Sequence, residues 1–220
     1  MRLQKAMADQ YIIGICGGSG SGKTSFINDL ANSLPPCSVA IISQDNYYKP
    51  VEEQYRDKNG QVNFDLPNAI DRKNLFEDLQ TLSGGGSIFR TEYTFNNDAQ
   101  EPRLVEVHSA PIVIIEGLFV LHFEEVRALM DLKIFLDVPE HLMLERRLAR
   151  DVKERGYDNA TVQYQWQNHV MPAFRQYLSP YKPVCDNIVT NIEHYREGLA
   201  HLNEQIHSQL NIIAPSGIQL

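Results

Sequence analysis

Residues 11–26, YIIGICGGSGSGKTSF, constrain the fold more than any other part of the chain. An apolar run at 11–16 enters the pattern G-x-x-x-x-G-K-[ST] at 17–24, and a helical pattern follows. Strand, glycine-rich loop and helix in that order make a phosphate cradle. Glycines permit positive φ and let backbone N–H groups crowd around an anion. The following helix turns its positive end toward the same charge. On this reading Gly17, Gly18, Ser19, Gly20, Ser21, Gly22, Lys23, Thr24 and Ser25 hold a nucleoside triphosphate. Lys23 reaches its β- and γ-phosphates, and the Thr24 hydroxyl ligates Mg2+. A flexible Gly/Ser linker is the alternative. It does not account for the buried strand before the loop or the Lys-Thr at its end.

The rest of the chain supplies a setting for that loop. Residues 11–16, 39–43, 112–116, 132–137 and 187–190 are short and almost continuously apolar, as parallel strands covered on both faces are. Helical patterns fall at 23–34, 68–82, 123–130, 139–154, 161–177 and 192–210. The alternation predicts an α/β fold with a doubly wound, mainly parallel five-stranded sheet and helices on both faces. Two further strand patterns, 87–93 and 103–108, predict a β-hairpin excursion (about 87–108) on a single domain spanning 1–220. The tail, 211–220, is expected to be poorly ordered.

Bulk properties exclude several classes. A net charge of -8 argues against broad nucleic-acid or anionic-membrane binding. No apolar run approaches the roughly 20 residues needed to span a bilayer, and the first ten residues lack the apolar core of a secretion signal. Three widely spaced cysteines suit reduced thiols in a cytoplasm. The seven histidines show no metal-ligand spacing.

Three features suggest what happens to the phosphate. Glu116 ends one strand, where it is either a solvated end or the metal's second protein contact. Asp45 follows another strand, as a loop or capping acid or as the base that takes a proton from an attacking hydroxyl. The run ERRLARDVKERG at 145–156 is helical, with Leu144, Leu148 and Val152 on one face and Arg147 and Arg150 on another. The apolar face is expected to dock, leaving an arginine face free as a lid (about 146–160) that includes Arg155 and closes over a transferring phosphoryl group.

The chain resembles the uridine kinase branch of the uridine kinase/phosphoribulokinase family. The likeness runs from about 11 to 190 and is carried by GGSGSGKT at 17–24, ISQDNYYK at 42–49, NFDLPNAID at 63–71, EYTF at 92–95, VIIEGLF at 113–119, KIFLDV at 133–138, RRLARDVKERG at 146–156 and YKPVCDNIV at 181–189. The resemblance implies a cytoplasmic, Mg2+-dependent kinase, with ATP or alternatively GTP as donor, that phosphorylates the 5′-hydroxyl of uridine or cytidine in pyrimidine salvage. It implies a homo-oligomer, dimer or tetramer. By position, Asp45 matches the base, which also lies near the metal, and Glu116 the metal acid. Asp65 matches the acid that holds the ribose hydroxyls. Tyr48 and Phe64 fall at the nucleoside site, and Tyr93 and Phe95 match an aromatic pair framing the pyrimidine. Arg147 matches an arginine at the ribose and reacting phosphate, Arg150 and Arg155 match lid arginines, and Gln165 reaches the nucleoside.

Departures from the pattern gather where the base is read. Thr94 replaces an aspartate, Asp98 a histidine at the base edge, and Tyr157 a base-contacting arginine. A different small hydroxyl substrate (another nucleoside, a sugar, a pantothenate-like molecule) is the alternative acceptor. A nucleotide-binding switch without an acceptor is the rival of another class. Asp45 and the three arginines argue for chemistry, and no Asn-Lys-x-Asp guanine reader is present.

Overall fold

Strands buried on both faces must be apolar at every position, and the central strand here, β1 (Tyr11–Gly17), is buried at all but its first residue. The computed structural model describes residues 10–94 and 101–213. With β1, the strands β2 (Val39–Ser43), β5 (Ile112–Gly117), β6 (Leu132–Asp137) and β7 (Asn187–Thr190) form a five-stranded sheet in the order β2-β5-β1-β6-β7. Every neighbouring pair in it is parallel. The strands β3 (Ser87–Thr91) and β4 (Leu104–His108) pair antiparallel as a separate hairpin. Of the connection expected between the hairpin strands, 95–100 lie outside the described residues, as do 214–220 of the tail expected at 211–220; residues 211–213 instead end the last helix.

Alternate residues of each strand feed opposite cores. Ile13 and Ile15 pack with Ile112, Ile114 and Ile134 beneath helix α1 (Lys23–Asn32) and the last helix, Arg196–Ile213. Ile12, Cys16, Val113 and Ile115 pack on the other face with Leu75, Leu79 and Leu82 of α2 (Arg72–Ser83) and Val126 of α3 (Glu124–Arg127). The sheet is therefore doubly wound. Helix α4 (Glu140–Glu154) and α5 (Asn159–Gln165) cover its carboxyl rim over a smaller cluster of Val138, Met143, Trp166, Val170 and Met171.

Helix limits differ from the sequence pattern for local reasons. The helix expected at 68–82 starts at Arg72, because Asp71 caps it by accepting from Asn74 N at 3.1 Å. Ile70 before it is extended and bridges to Tyr48. The helix expected at 161–177 begins earlier, at Asn159, capped by Asp158. It then widens into π turns at Trp166–Val170 and Phe174–Leu178, on either side of Pro172, which has no N–H to donate. The last helix begins at Arg196, not at 192. The three cysteines are free thiols.

Helix α1 carries the phosphate loop, so its packing fixes the loop. Leu30 is fully buried on it. Leu30→Ala is expected to lower the unfolding free energy by about 2–5 kcal/mol in urea denaturation. A loss below about 1 kcal/mol would contradict this packing of α1.

Candidate active site

Strand register assembles the acids. Ile15 of β1 and Ser43 of β2 both pair with Glu116 of β5, so β2 and β5 end at one level while β1 runs two residues further into the phosphate loop. Ser43 Oγ donates to Glu116 Oε1 and accepts from Asp45 N at 3.3 Å. Ser43 is thus the cap of the turn Gln44–Tyr47, and Asp45 is not. Gln44 is fully buried and accepts from Phe119 N at 2.8 Å. A Cβ at Gly117 would lie 2.4 Å from Gln44 Cβ, so only glycine fits there.

The phosphate loop meets these acids from β1. Lys23 Nζ donates to Gly17 O at 2.9 Å and to Gly18 O at 3.4 Å. Gly20 has φ +82, and a Cβ on it would sit 2.3 Å from Met143 O of α4. Asn191, just past β7, donates Nδ2 to Ser21 O at 2.9 Å. Ser19 through Ser25, Asp45 and Glu116 line one cleft of about 480 Å3.

Charge in the cleft is divided. Burial pushes the Asp45 carboxyl above its ordinary pKa, against the pull of Lys23, Arg155 and Arg150. Burial, and then the neighbouring Asp45, push Glu116 up to about 7, with Lys23 opposing. The two half-buried acids raise each other's cost of ionising although Lys23, Arg150 and Arg155 stand near, and a divalent cation between them would relieve that repulsion. Thr24 Oγ1, Asp45 and Glu116 offer the hard oxygens Mg2+ takes. No group of three or more His, Cys, Asp or Glu suited to a metal occurs among the described residues. A metal here would draw its remaining ligands from phosphate and water, as Mg2+ does.

Opposite the acids stand the arginines of α4, arranged otherwise than the apolar pattern predicts. The buried residues of this helix are Met143, Arg147 and Asp151, while Val152 is exposed and Leu144 and Leu148 are half-buried. The helix presents a charged face inward because Asp151, 1% exposed, neutralises it. Asp151 pairs with Arg147 Nε at 3.1 Å, Arg150 Nε at 2.8 Å and Arg155 Nη1 at 3.3 Å. Arg147 Nη1 and Arg150 Nη2 then donate to Ser19 Oγ at 3.0 and 3.4 Å. The arginine face is therefore bound to the phosphate loop, not free. Asp151 was not singled out by the apolar pattern. Its signal is spacing: it lies four residues after Arg147 and four before Arg155.

Beyond the arginines the cleft becomes aromatic. Tyr48 meets Phe64 edge-on at 5.7 Å and Tyr93 at 5.0 Å, and Phe64 lies 6.4 Å from Tyr93. Asn46 Oδ1 accepts from Tyr93 N at 3.1 Å, which ties the hairpin to the Asp45 turn. Asp65 is buried, with Arg147 Nη1 3.9 Å from its Oδ1. Gln165 Oε1 accepts from Arg147 Nη2 at 3.0 Å. Tyr157, Val62 and His169 complete the wall. Phe95 and Asp98 lie outside the described residues. The structure thus gathers the other expected site residues, from the loop through Asp45, Glu116 and the arginines to Tyr48, Phe64, Asp65, Tyr93, Tyr157 and Gln165, around one cavity and its floor.

Comparison with known proteins gives this arrangement a family. The sequence profile of the phosphoribulokinase / uridine kinase family matches residues 12–196. The chain belongs to that family. It is similar to a uridine kinase of Staphylococcus haemolyticus, at 37% identity over 83% of this chain and 88% of the other. A uridine kinase of Borreliella burgdorferi is 36% identical over 90% of this chain and 94% of its own. The phosphoribulokinase of Rhodobacter spheroides has the same fold, with a TM-score of 0.60 at 16% identity over 84% of this chain and 72% of that one. The protein is a kinase, a phosphotransferase with an alcohol group as acceptor. Among the described residues no helix is long and apolar enough to cross a membrane.

Removing Asp151 would leave three arginines without their common counter-charge. Asp151→Ala is expected to cost about 3 kcal/mol or more in unfolding free energy. Glu145→Ala, at an exposed position on the same helix, should stay within about 0.5 kcal/mol. Equal effects in denaturation would show that the arginine cluster is not organised by Asp151.

Proposed function

We propose that this kinase transfers the γ-phosphoryl group of ATP to the 5′-hydroxyl of uridine or cytidine. One observation carries the reading. A single cleft runs from the phosphate loop, past the half-buried acid Asp45, to a pocket walled by Tyr48, Phe64 and Tyr93 with Asp65 beside it. A flat base suits the aromatic wall, and vicinal ribose hydroxyls suit Asp65. Sequence similarity to uridine kinases over most of the chain supports the same acceptor.

In this reading the backbone of Gly17 to Ser25 and Lys23 bind the triphosphate. Thr24, Asp45 and Glu116 would hold Mg2+, which neutralises phosphate charge when bound. Asp45 accepts the proton of the attacking hydroxyl, and Asp65 and Arg147 hold the sugar for in-line attack. Arg150 and Arg155 meet the negative charge that spreads over the transferring group, and the lid keeps water from competing. Positioning and fixed charge supply most of the rate, since this transfer needs little covalent help. A cytoplasmic salvage role fits the free thiols. The family resemblance also supports assembly as a homo-oligomer.

The test is a coupled ADP-release assay with purified protein, MgATP or MgGTP, and a panel of uridine, cytidine, other nucleosides, ribulose 5-phosphate, pantothenate and simple sugars. Turnover with pyrimidine nucleosides is expected. Robust turnover only with a non-nucleoside would overturn the acceptor, and ATP binding without acceptor-dependent turnover would favour a switch. Within the panel, Asp45→Asn should lower kcat by about 10² or more while ATP binding is kept. Near-normal turnover would remove Asp45 from the base role.

A further inference from the structure

The acceptor end of the cleft holds a histidine that the mechanism above leaves unused. His169 is 2% exposed and lines the cleft. Contacts lead to it away from the phosphate loop. Arg147 binds Ser19 of the loop with one nitrogen and Gln165 with the other, and His169 lies about one helical turn beyond Gln165. Val62 and Phe64 line the same cleft.

The ring is held from behind. His169 Nε2 lies 2.7 Å from Asp57 Oδ2. The same oxygen accepts from Tyr164 OH at 2.7 Å. Asp57 Oδ1 accepts from the N–H groups of Asn59 at 2.8 Å and Gln61 at 3.0 Å. These bonds, the one from Tyr164 first, hold the Asp57 carboxyl well below the usual carboxylate range. An ionised carboxylate only accepts, so in the neutral imidazole the proton resides on Nε2 and Nδ1 carries the lone pair. Tyr164 packs edge-on against the ring at 5.7 Å and fixes its plane. Among the described residues no group donates to Nδ1. A ring held this firmly in the wall of a binding cleft, its Nδ1 without a partner among the described residues, is placed for a ligand.

We propose that His169 is a specificity-determining residue of the acceptor site, its Nδ1 accepting a hydrogen bond from an N–H on the edge of the nucleobase. This rests on the nucleoside reading above. The charged pair Asp65 and Arg147 takes the ribose side, and the aromatic wall holds the ring flat. The ring edge then meets His169, where uracil offers N3–H and cytosine its amino group. Asp57 is a positioning residue that sets the tautomer.

The test compares uridine with 3-methyluridine, which lacks that N–H, and with 2′-deoxyuridine. Wild type should prefer uridine over 3-methyluridine by about tenfold or more in kcat/KM, the scale of a lost buried hydrogen bond. His169→Phe should bring that ratio close to one and leave the KM for ATP unchanged. His169→Asn, which keeps an acceptor, should restore part of it. An unchanged 3-methyluridine ratio in His169→Phe, or a variant effect confined to the 2′-deoxy comparison, would overturn the proposal. If the wild-type enzyme turns over no nucleoside, the acceptor assignment falls and this inference with it. A measurement that needs no variant to fold is nitrogen-15 NMR of histidine-labelled wild type. The lone-pair Nδ1 signal should move on adding uridine and stay in place with 3-methyluridine; no movement at saturating uridine would also overturn it.

Discussion

Asp151 is the charge on which the site is arranged. Three guanidiniums converge on its buried carboxylate, and without it they would repel one another and turn toward water. With it, α4 can point a charged face at the phosphate loop and still be packed. One carboxylate against three cations also leaves the cluster net positive, so it retains attraction for phosphate. The same side chains therefore secure the lid helix and supply field to the cleft, and the cost of burying each charge is offset by its neighbours.

That field reaches the acids across the cleft. Burial alone would favour protonated Asp45, and the groups that oppose burial are Lys23, Arg155 and Arg150. Two of those three are on the lid. The position of the lid thus bears on whether Asp45 is ionised, which a proton acceptor must be. Glu116 is tied to the same balance through Asp45 and Lys23. Such preorganised charge is most effective where water is excluded, and here closure of the cleft and readiness of the base depend on the same arginines.

Much of the fold was legible because parallel strands advertise themselves. A run such as Ile112 to Ile115 is apolar without alternation, and the sheet buries it on both faces. The cradle was legible because backbone anion binding needs glycine at fixed places. The lid was misread at one point. Hydrophobic periodicity equates the buried face with the apolar one, and the stripe of Met143, Arg147 and Asp151 violates that rule through ion pairing. The Asp57–His169 pair was invisible for another reason. Its partners are 112 residues apart, and neither belongs to a motif with a spacing to recognise. Asp45 was ambiguous until Ser43 took the capping role that the acid could have filled.

The two ends of the cleft differ in the kind of polarity they present, and this bears on the acceptor. Every Lys or Arg lining it, Lys23, Arg146, Arg147, Arg150 and Arg155, belongs to the phosphate loop, to α4 or to its cap. The far wall consists of Tyr48, Val62, Phe64, Tyr93, Tyr157, Gln165 and His169. Burial, then Tyr157 and Asp45, push the Tyr93 hydroxyl up to about 12, and burial holds Tyr48 well above its ordinary value. Both stay neutral at any working pH. A sugar phosphate would bring a second anion to this wall, where the cations within reach, Arg147 and Arg155, are already paired with Asp151, so its desolvation would be poorly offset. A neutral, flat ring with a polar edge meets no such cost. Within one family, the distribution of charge along this cleft favours a nucleoside over a phosphorylated sugar.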